Sequence, residues 1–134
     1  MTDVPAPRFV AAAPALPVSD ERRAVAFYAE ALGFVELLDL DGAGLGIVER
    51  DAVQLSLWAA DGSAPGAEEY LAGTASCRIE VVGVEALHAR CSDLGVVHPH
   101  GALGDRPWGT REFAILDPDG NQITLFERRA ASVD

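Results

Sequence analysis

The sequence predicts an α+β fold: two βαβββ units in tandem build a curved mixed sheet, with helices on one face and an open concave cleft on the other. Three observations carry this. Leu32-Gly33-Phe34-Val35 and Leu94-Gly95-Val96-Val97 lie 62 positions apart (95 − 33) in a chain of 134, and similarity at a fixed offset marks a duplicated unit. In each copy an extended run gives way to a helical period, after Val18 and after Val82. A hydrophobic content of 49% supports a single domain over residues 1–134 with a real core.

Residues 1–9 read as an arm and 129–134 as a tail, with the first unit over about 10–60 and the second over about 74–128. Val10 to Val18 reads as the first strand, held to an edge because Pro14 and Pro17 have no N–H for a ladder. From Ser19 to Leu32, Ala24, Phe27, Tyr28 and Ala31 recur at helical spacing; Ser19 or Asp20 caps the start and Gly33 the end. Strands follow over Phe34 to Leu40, Leu45 to Glu49 and Val53 to Trp58. Ala59 to Gly73, rich in Gly, Ala and Pro, is the one long connection. The second copy has a strand over Ala75 to Val82 and a helix over Val84 to Leu94, closed by Gly95. A hairpin, Arg111 to Leu116 with Asn121 to Glu127, turns at Asp117-Pro118-Asp119-Gly120, where Pro presets one dihedral and Gly accepts a positive φ.

Charge narrows the partners. The net charge is −11, which repels nucleic acid and anionic membrane. All ten basic residues are Arg, so chemistry through a Lys nucleophile is excluded. No segment approaches the ~20 apolar residues of a membrane span, and the stretch Phe9 to Val18, with two prolines and an upstream Asp3, is unlike a leader. A cytoplasmic protein is expected. Cys77 and Cys91 read as buried thiols.

Strand alternation sorts the faces. With Leu55, Leu57, Ile79, Phe113, Ile115, Ile123 and Leu125 turned to the helices, the concave side receives Gln54, Ser56, Trp58, Ser76, Arg78, Glu80, Glu112, Ala114, Gln122, Thr124 and Phe126. Arg78 and Glu80, two apart on one strand face, invite a pair with each other. Glu112 reads equally as exposed or as a ligand contact. His98 and His100 read as loop histidines, since two imidazoles alone fall short of the ligands a metal needs. His88 reads as a surface residue.

The helix from Asp20 to Tyr28 followed by Leu32-Gly33-Phe34, the repeat, Trp108-Gly109-Thr110 and Asp117-Pro118-Asp119-Gly120-Asn121 together resemble the vicinal oxygen chelate (glyoxalase/bleomycin resistance/dioxygenase) superfamily. Within it the resemblance is greatest to the bleomycin resistance proteins and covers about Ala11 to Glu127. It implies homodimers with clefts between subunits and an N-terminal strand exchanged or paired across the interface. Enzymes of the superfamily hold a divalent metal on the concave strands. Those positions fall here at Ala13, Ser76, Thr124 and Ser56 or Gln54, which are poor ligands or none. The resemblance thus implies neither metal nor cofactor, and a protein that sequesters a small-molecule antibiotic, a bleomycin-type glycopeptide or another planar natural product, without altering it. The ligand contacts expected are Leu38, Gln54, Ser56, Trp58, Arg78, Glu80, Trp108, Glu112 and Thr124. Trp58 and Trp108 offer flat faces for a heteroaromatic group, Glu80 and Glu112 a hold on a cationic tail, and Arg78 and Gln54 hydrogen bonds to sugar or peptide groups. The competing reading is an enzyme of the superfamily, either metal-dependent through His98 and His100 or metal-free with Glu80 or Glu112 as base.

Overall fold

Strand β1 (Ala15–Val18) ends and helix α1 (Glu21–Leu32) begins at Asp20, an extended residue whose carboxylate accepts from the Arg23 N–H and so caps the helix. At the other end Gly33, at φ 71°, is left-handed and its N–H closes onto the Ala29 carbonyl. These elements belong to a computed structural model that describes residues 3–130. The first unit continues through β2 (Val35–Leu40), β3 (Leu45–Arg50) and β4 (Val53–Ala59). The second comprises β5 (Ser76–Glu80), α2 (Val84–Asp93), β6 (Gly104–Arg106), β7 (Thr110–Leu116) and β8 (Gln122–Arg128). No described helix is long and apolar enough to cross a membrane.

The sheet is divided in two. The strand orders β1-β4-β3-β2 and β5-β8-β7-β6 repeat one plan, each with a single parallel pair, β1 with β4 and β5 with β8, and with a helix that carries the chain from one edge strand to the other. Helix-facing side chains of both sheets, Leu16, Leu55, Leu57, Phe113, Ile115, Ile123 and Leu125 among them, meet Ala24, Tyr28 and Leu32 of α1 and Val84 and Cys91 of α2 in one core. Each such aliphatic or aromatic side chain contributes about 1.5–3 kcal/mol by leaving water.

A buried polar knot ties the units together. Pro17 in β1 has a carbonyl that accepts from the Gly73 N–H at 3.0 Å and from Asn121 Nδ2 at 2.8 Å. Asn121 Nδ2 also donates to Asp117 Oδ2 at 2.8 Å, where the Tyr28 hydroxyl of α1 donates at 2.9 Å. Asp117 Oδ1 accepts three backbone N–H groups, of Asp119, Gly120 and Asn121, which makes the turn between β7 and β8. Burial first, and then the neighbouring Asp117 carboxylate, push the Tyr28 phenol far above its ordinary value, so it stays a donor.

Several expectations are corrected. The strand expected from Val10 begins only at Ala15: the Pro14 carbonyl still accepts from Ser56, but Pro14 gives nothing back. Ala15 already faces Ser56, so upstream residues soon run past the start of β4 at Val53, and residues 3–13 are exposed while Pro14, where the chain joins the sheet, is half-buried. The short strand β6 was not expected at all. His88 is half-buried, edge-on to Phe113 at 5.1 Å, rather than a surface residue. Cys91 is buried and Cys77 half-buried; burial pushes both thiols up to about 11, so neither is a thiolate at neutral pH.

Candidate functional site

The concave face of the second unit is built by register. Arg78 of β5 lies opposite Thr124 of β8, which lies opposite Ala114 of β7; the next row is Glu80, Phe126 and Glu112. Glu112 is therefore two strands away from Arg78 and diagonal to it. The long Arg78 side chain crosses β8 with its guanidinium 4.5 Å above the Phe126 ring and ends as a fork on Glu112, Nη2 to Oε2 at 2.9 Å and Nη1 to Oε1 at 3.3 Å. Glu80 is too short for that crossing and pairs with Arg128 at 2.9 Å. Arg78 and Glu80 thus do not pair with each other.

Glu112 is the hub of the face. Only 5% exposed, it also accepts from the Thr110 hydroxyl at 2.8 Å and Trp108 Nε1 at 3.3 Å, and Arg106 Nε stands 3.8 Å away. Burial pushes its carboxyl up, but hydrogen bonds from Arg78, Thr110 and Trp108 outweigh this and hold it below the usual carboxylate range. It is buried rather than solvent-exposed, and both of its oxygens already accept hydrogen bonds from the protein. Trp108, in contrast, is 62% exposed, with its N–H committed and its ring face open.

The first unit supplies a second concave face. Leu38, Ile47 and Ser56 form one cross-strand row, Leu45 and Trp58 the next, and Gln54 lies opposite Glu49. Gln54, Ser56 and Trp58 are half-buried and Leu38 is exposed. None of the four cavities described draws on both this set and the Arg78–Glu112–Trp108 set. A cavity of about 230 Å3 beside Glu112 is lined by residues of the second unit, among them His98, His100, Gln122 and Thr124. A larger cleft of about 660 Å3 at the seam between units has mainly helix-facing walls, including Leu32, Phe34, Ile79 and Leu125, and of the expected site residues contains Glu80 alone. Thr110, Arg106 and Phe126 are site neighbours that the sequence reading did not select. Phe126 was visible by alternation; the other two needed the hairpin register.

The positions at which a metal is implied do not suit one. Ala13 has no donor atom and Ser76, Thr124, Ser56 and Gln54 are neutral. Among the described residues no three of His, Cys, Asp or Glu are gathered for a cation. The His98 and His100 rings are 5.9 Å apart, and His98 Nδ1 accepts the backbone N–H of His100, which makes that imidazole part of a turn.

Two units of this plan, with concave faces clear of their helices, define a class, and a family model confirms it. The model of the Glyoxalase/Bleomycin resistance protein/Dioxygenase superfamily matches residues 10–125, and the chain belongs to that superfamily. It is 38% identical over 126 residues to a bleomycin resistance protein of Geobacillus stearothermophilus, which spans 86% of this chain and 94% of the relative. Among solved structures it is similar to a bleomycin-binding protein complexed with bleomycin, at 28% identity and TM-score 0.70 over 90% of this chain and all (100%) of that one. It is also similar to the bleomycin-binding protein of bleomycin-producing Streptomyces verticillus complexed with copper(II)-bleomycin, at 26% identity and TM-score 0.72 over 95% of this chain and 100% of that one.

Proposed function

We propose that this protein confers resistance by binding a bleomycin-type glycopeptide, or another planar natural-product drug, stoichiometrically and without altering it, acting in the cytoplasm as a homodimer. The observation that carries the reading is Trp108. Its indole stands out from a Gly-containing loop, its one donor is consumed by Glu112, and what it offers a ligand is a rigid apolar plane. Such a plane suits stacking, worth about 0.5–1.5 kcal/mol beyond area burial. The names and bound drug of the relatives at 26–38% identity support the same reading.

The dimer is supported by what a single chain leaves open. Leu38 and Trp58 on one face and Trp108 on the other share none of the four cavities described, and a second copy would set one face against the other. The arm carries Val4, Phe9 and Val10, which are 89%, 97% and 82% exposed on their own chain; a partner subunit would cover them. The enzyme alternative is weakened by chemistry. A general base for work near neutrality needs a raised carboxyl pKa, and Glu112 is held low.

Titration with bleomycin, followed by Trp fluorescence and by mass spectrometry of the recovered drug, tests the reading. Expected are saturable quenching, drug returned unchanged, and an affinity about tenfold weaker in Trp108→Ala, the equivalent of ~1.4 kcal/mol. Absence of binding, or a chemically converted drug, refutes it.

A further inference from the structure

We infer that the 230 Å3 cavity beside Glu112, the residue to which the Trp108 indole donates, is a subsite for a sugar ring, so that one ligand places its planar part on the indole and a neighbouring sugar in this niche. The inference rests on the antibiotic-binding reading and adds which part of the ligand goes where.

The niche is pre-shaped. Residues 98–101 form a turn bound onto β7 by His98 N–H to the Ala114 carbonyl at 2.8 Å, Ala114 N–H to the Gly101 carbonyl at 3.0 Å, and Gly101 N–H to the His98 carbonyl at 2.9 Å. Gly101 sits so close that a Cβ there would lie 2.8 Å from Ala114 Cβ. The floor is thus fixed before any ligand arrives. In size the cavity equals about eight waters at ~30 Å3 each, which matches a single ring with its substituents.

Its chemistry selects among such rings. Because His98 Nδ1 accepts from His100, its lone pair is used there and the neutral imidazole carries its proton on Nε2, a donor on a side chain that lines the cavity. The Gln122 amide and the Thr124 hydroxyl line the same space from β8, and among the described residues neither side chain has a hydrogen-bond partner. Together they offer donors and acceptors side by side, the pattern that a hydroxyl-rich ring satisfies in both directions. A cationic group is disfavoured, since the single carboxylate at the wall, Glu112, is already flanked by the guanidiniums of Arg78 and Arg106. An anionic group is opposed by the field of a protein with net charge −11. Thr124, one of the positions where a metal ligand was implied, serves instead as a hydroxyl facing this niche.

The test compares bleomycin with its deglycosylated form on the parent protein and on Thr124→Val, Gln122→Met and His98→Phe, each checked for an unchanged melting profile. Thr124→Val preserves side-chain volume, so at least one variant reports even if the His98 turn loosens. The parent should bind bleomycin at least tenfold tighter than the deglycosylated drug. The variants should shrink that gap several-fold by losing affinity for bleomycin only. Equal affinity of the parent for the two drugs, or an undiminished gap in all folded variants, overturns the sugar subsite while leaving antibiotic binding intact. Failure of both drugs to bind the parent overturns the antibiotic-binding reading, and the subsite with it.

Discussion

Replacement of Glu112 by Gln puts the hub to a quantitative trial. The substitution keeps the side-chain volume and removes the charge. The amide oxygen can remain at the Oε2 position, accepting from Thr110, Arg78 Nη2 and Trp108 at 2.8, 2.9 and 3.3 Å. The new NH2 then occupies the Oε1 position, 3.3 Å from Arg78 Nη1 and 3.8 Å from Arg106 Nε, donor against donor. One charge-assisted hydrogen bond, worth about 1.5–3 kcal/mol, is lost, and three others become bonds to a neutral acceptor. The Arg78 side chain is 46% exposed and recovers water in compensation. The net cost is therefore about 2 kcal/mol, at the low end of that range. For a chain of this length that lowers Tm by roughly 6–10 °C. Thermal unfolding followed by circular dichroism gives the first readout, and Trp emission at 25 °C the second, because the acceptor of the indole N–H changes from a charged carboxylate to a neutral amide oxygen. In a Trp108→Phe background the same substitution should cost several tenths of a kcal/mol less, since one of the four bonds is already gone. A Tm within 2 °C of the parent together with an unmoved emission maximum would refute the hub.

Three further outcomes are expected. Acid should release Trp108: Glu112 titrates lower folded than unfolded, so its contribution is complete above the unfolded value of about 4.3 and is lost as pH falls through the lower folded value. Emission of a Trp58→Phe variant should stay constant from pH 7 to 5 and move only below the ordinary carboxylate range; a transition near pH 6 contradicts this. Tyr28→Phe removes one donor to Asp117 while Asn121 Nδ2 still serves the same oxygen. It should lower stability by about 1–2 kcal/mol, read as a shifted urea midpoint with unchanged slope. Gly73 sits at φ +82°, and a Cβ there would collide with the Asp119 carbonyl; Gly73→Ala should cost ~3 kcal/mol or more, against ~1 for Gly66→Ala, where φ is +90° but no atom lies within 4 Å. Equal denaturation midpoints for the two glycine variants would show that the Asp119 contact is relieved without strain.

What could be read from the chain alone follows from which interactions are periodic. Ile123 and Leu125 alternate with Gln122 and Thr124, and Ala24, Tyr28 and Ala31 recur by turns of helix, so strands, helices and faces were legible. The Arg78 crossing was not, because it depends on β8 lying between β5 and β7 and on the offset of 78 from 112 across it; along the sequence the nearer opposite charge is Glu80. Glu112 was placed on the concave face, but its bonding there was not legible, since nothing local reveals that Thr110, Trp108 and Arg78 all converge on it. β6 was missed because three residues, Gly104-Asp105-Arg106, are too few to display alternation. The first strand was drawn too long because Val10 to Ala13 have suitable residue types but no facing strand.

The Tyr28–Asp117–Asn121–Pro17 knot bears on how the molecule comes apart. A phenol from the first half completes the turn of the second, and an amide from the second caps a carbonyl in the first, so neither half keeps its polar interior satisfied alone. Severing the connection 59–73 should therefore yield two fragments that fold only on meeting, and denaturation of the intact protein should be a single concerted event despite its duplicated architecture.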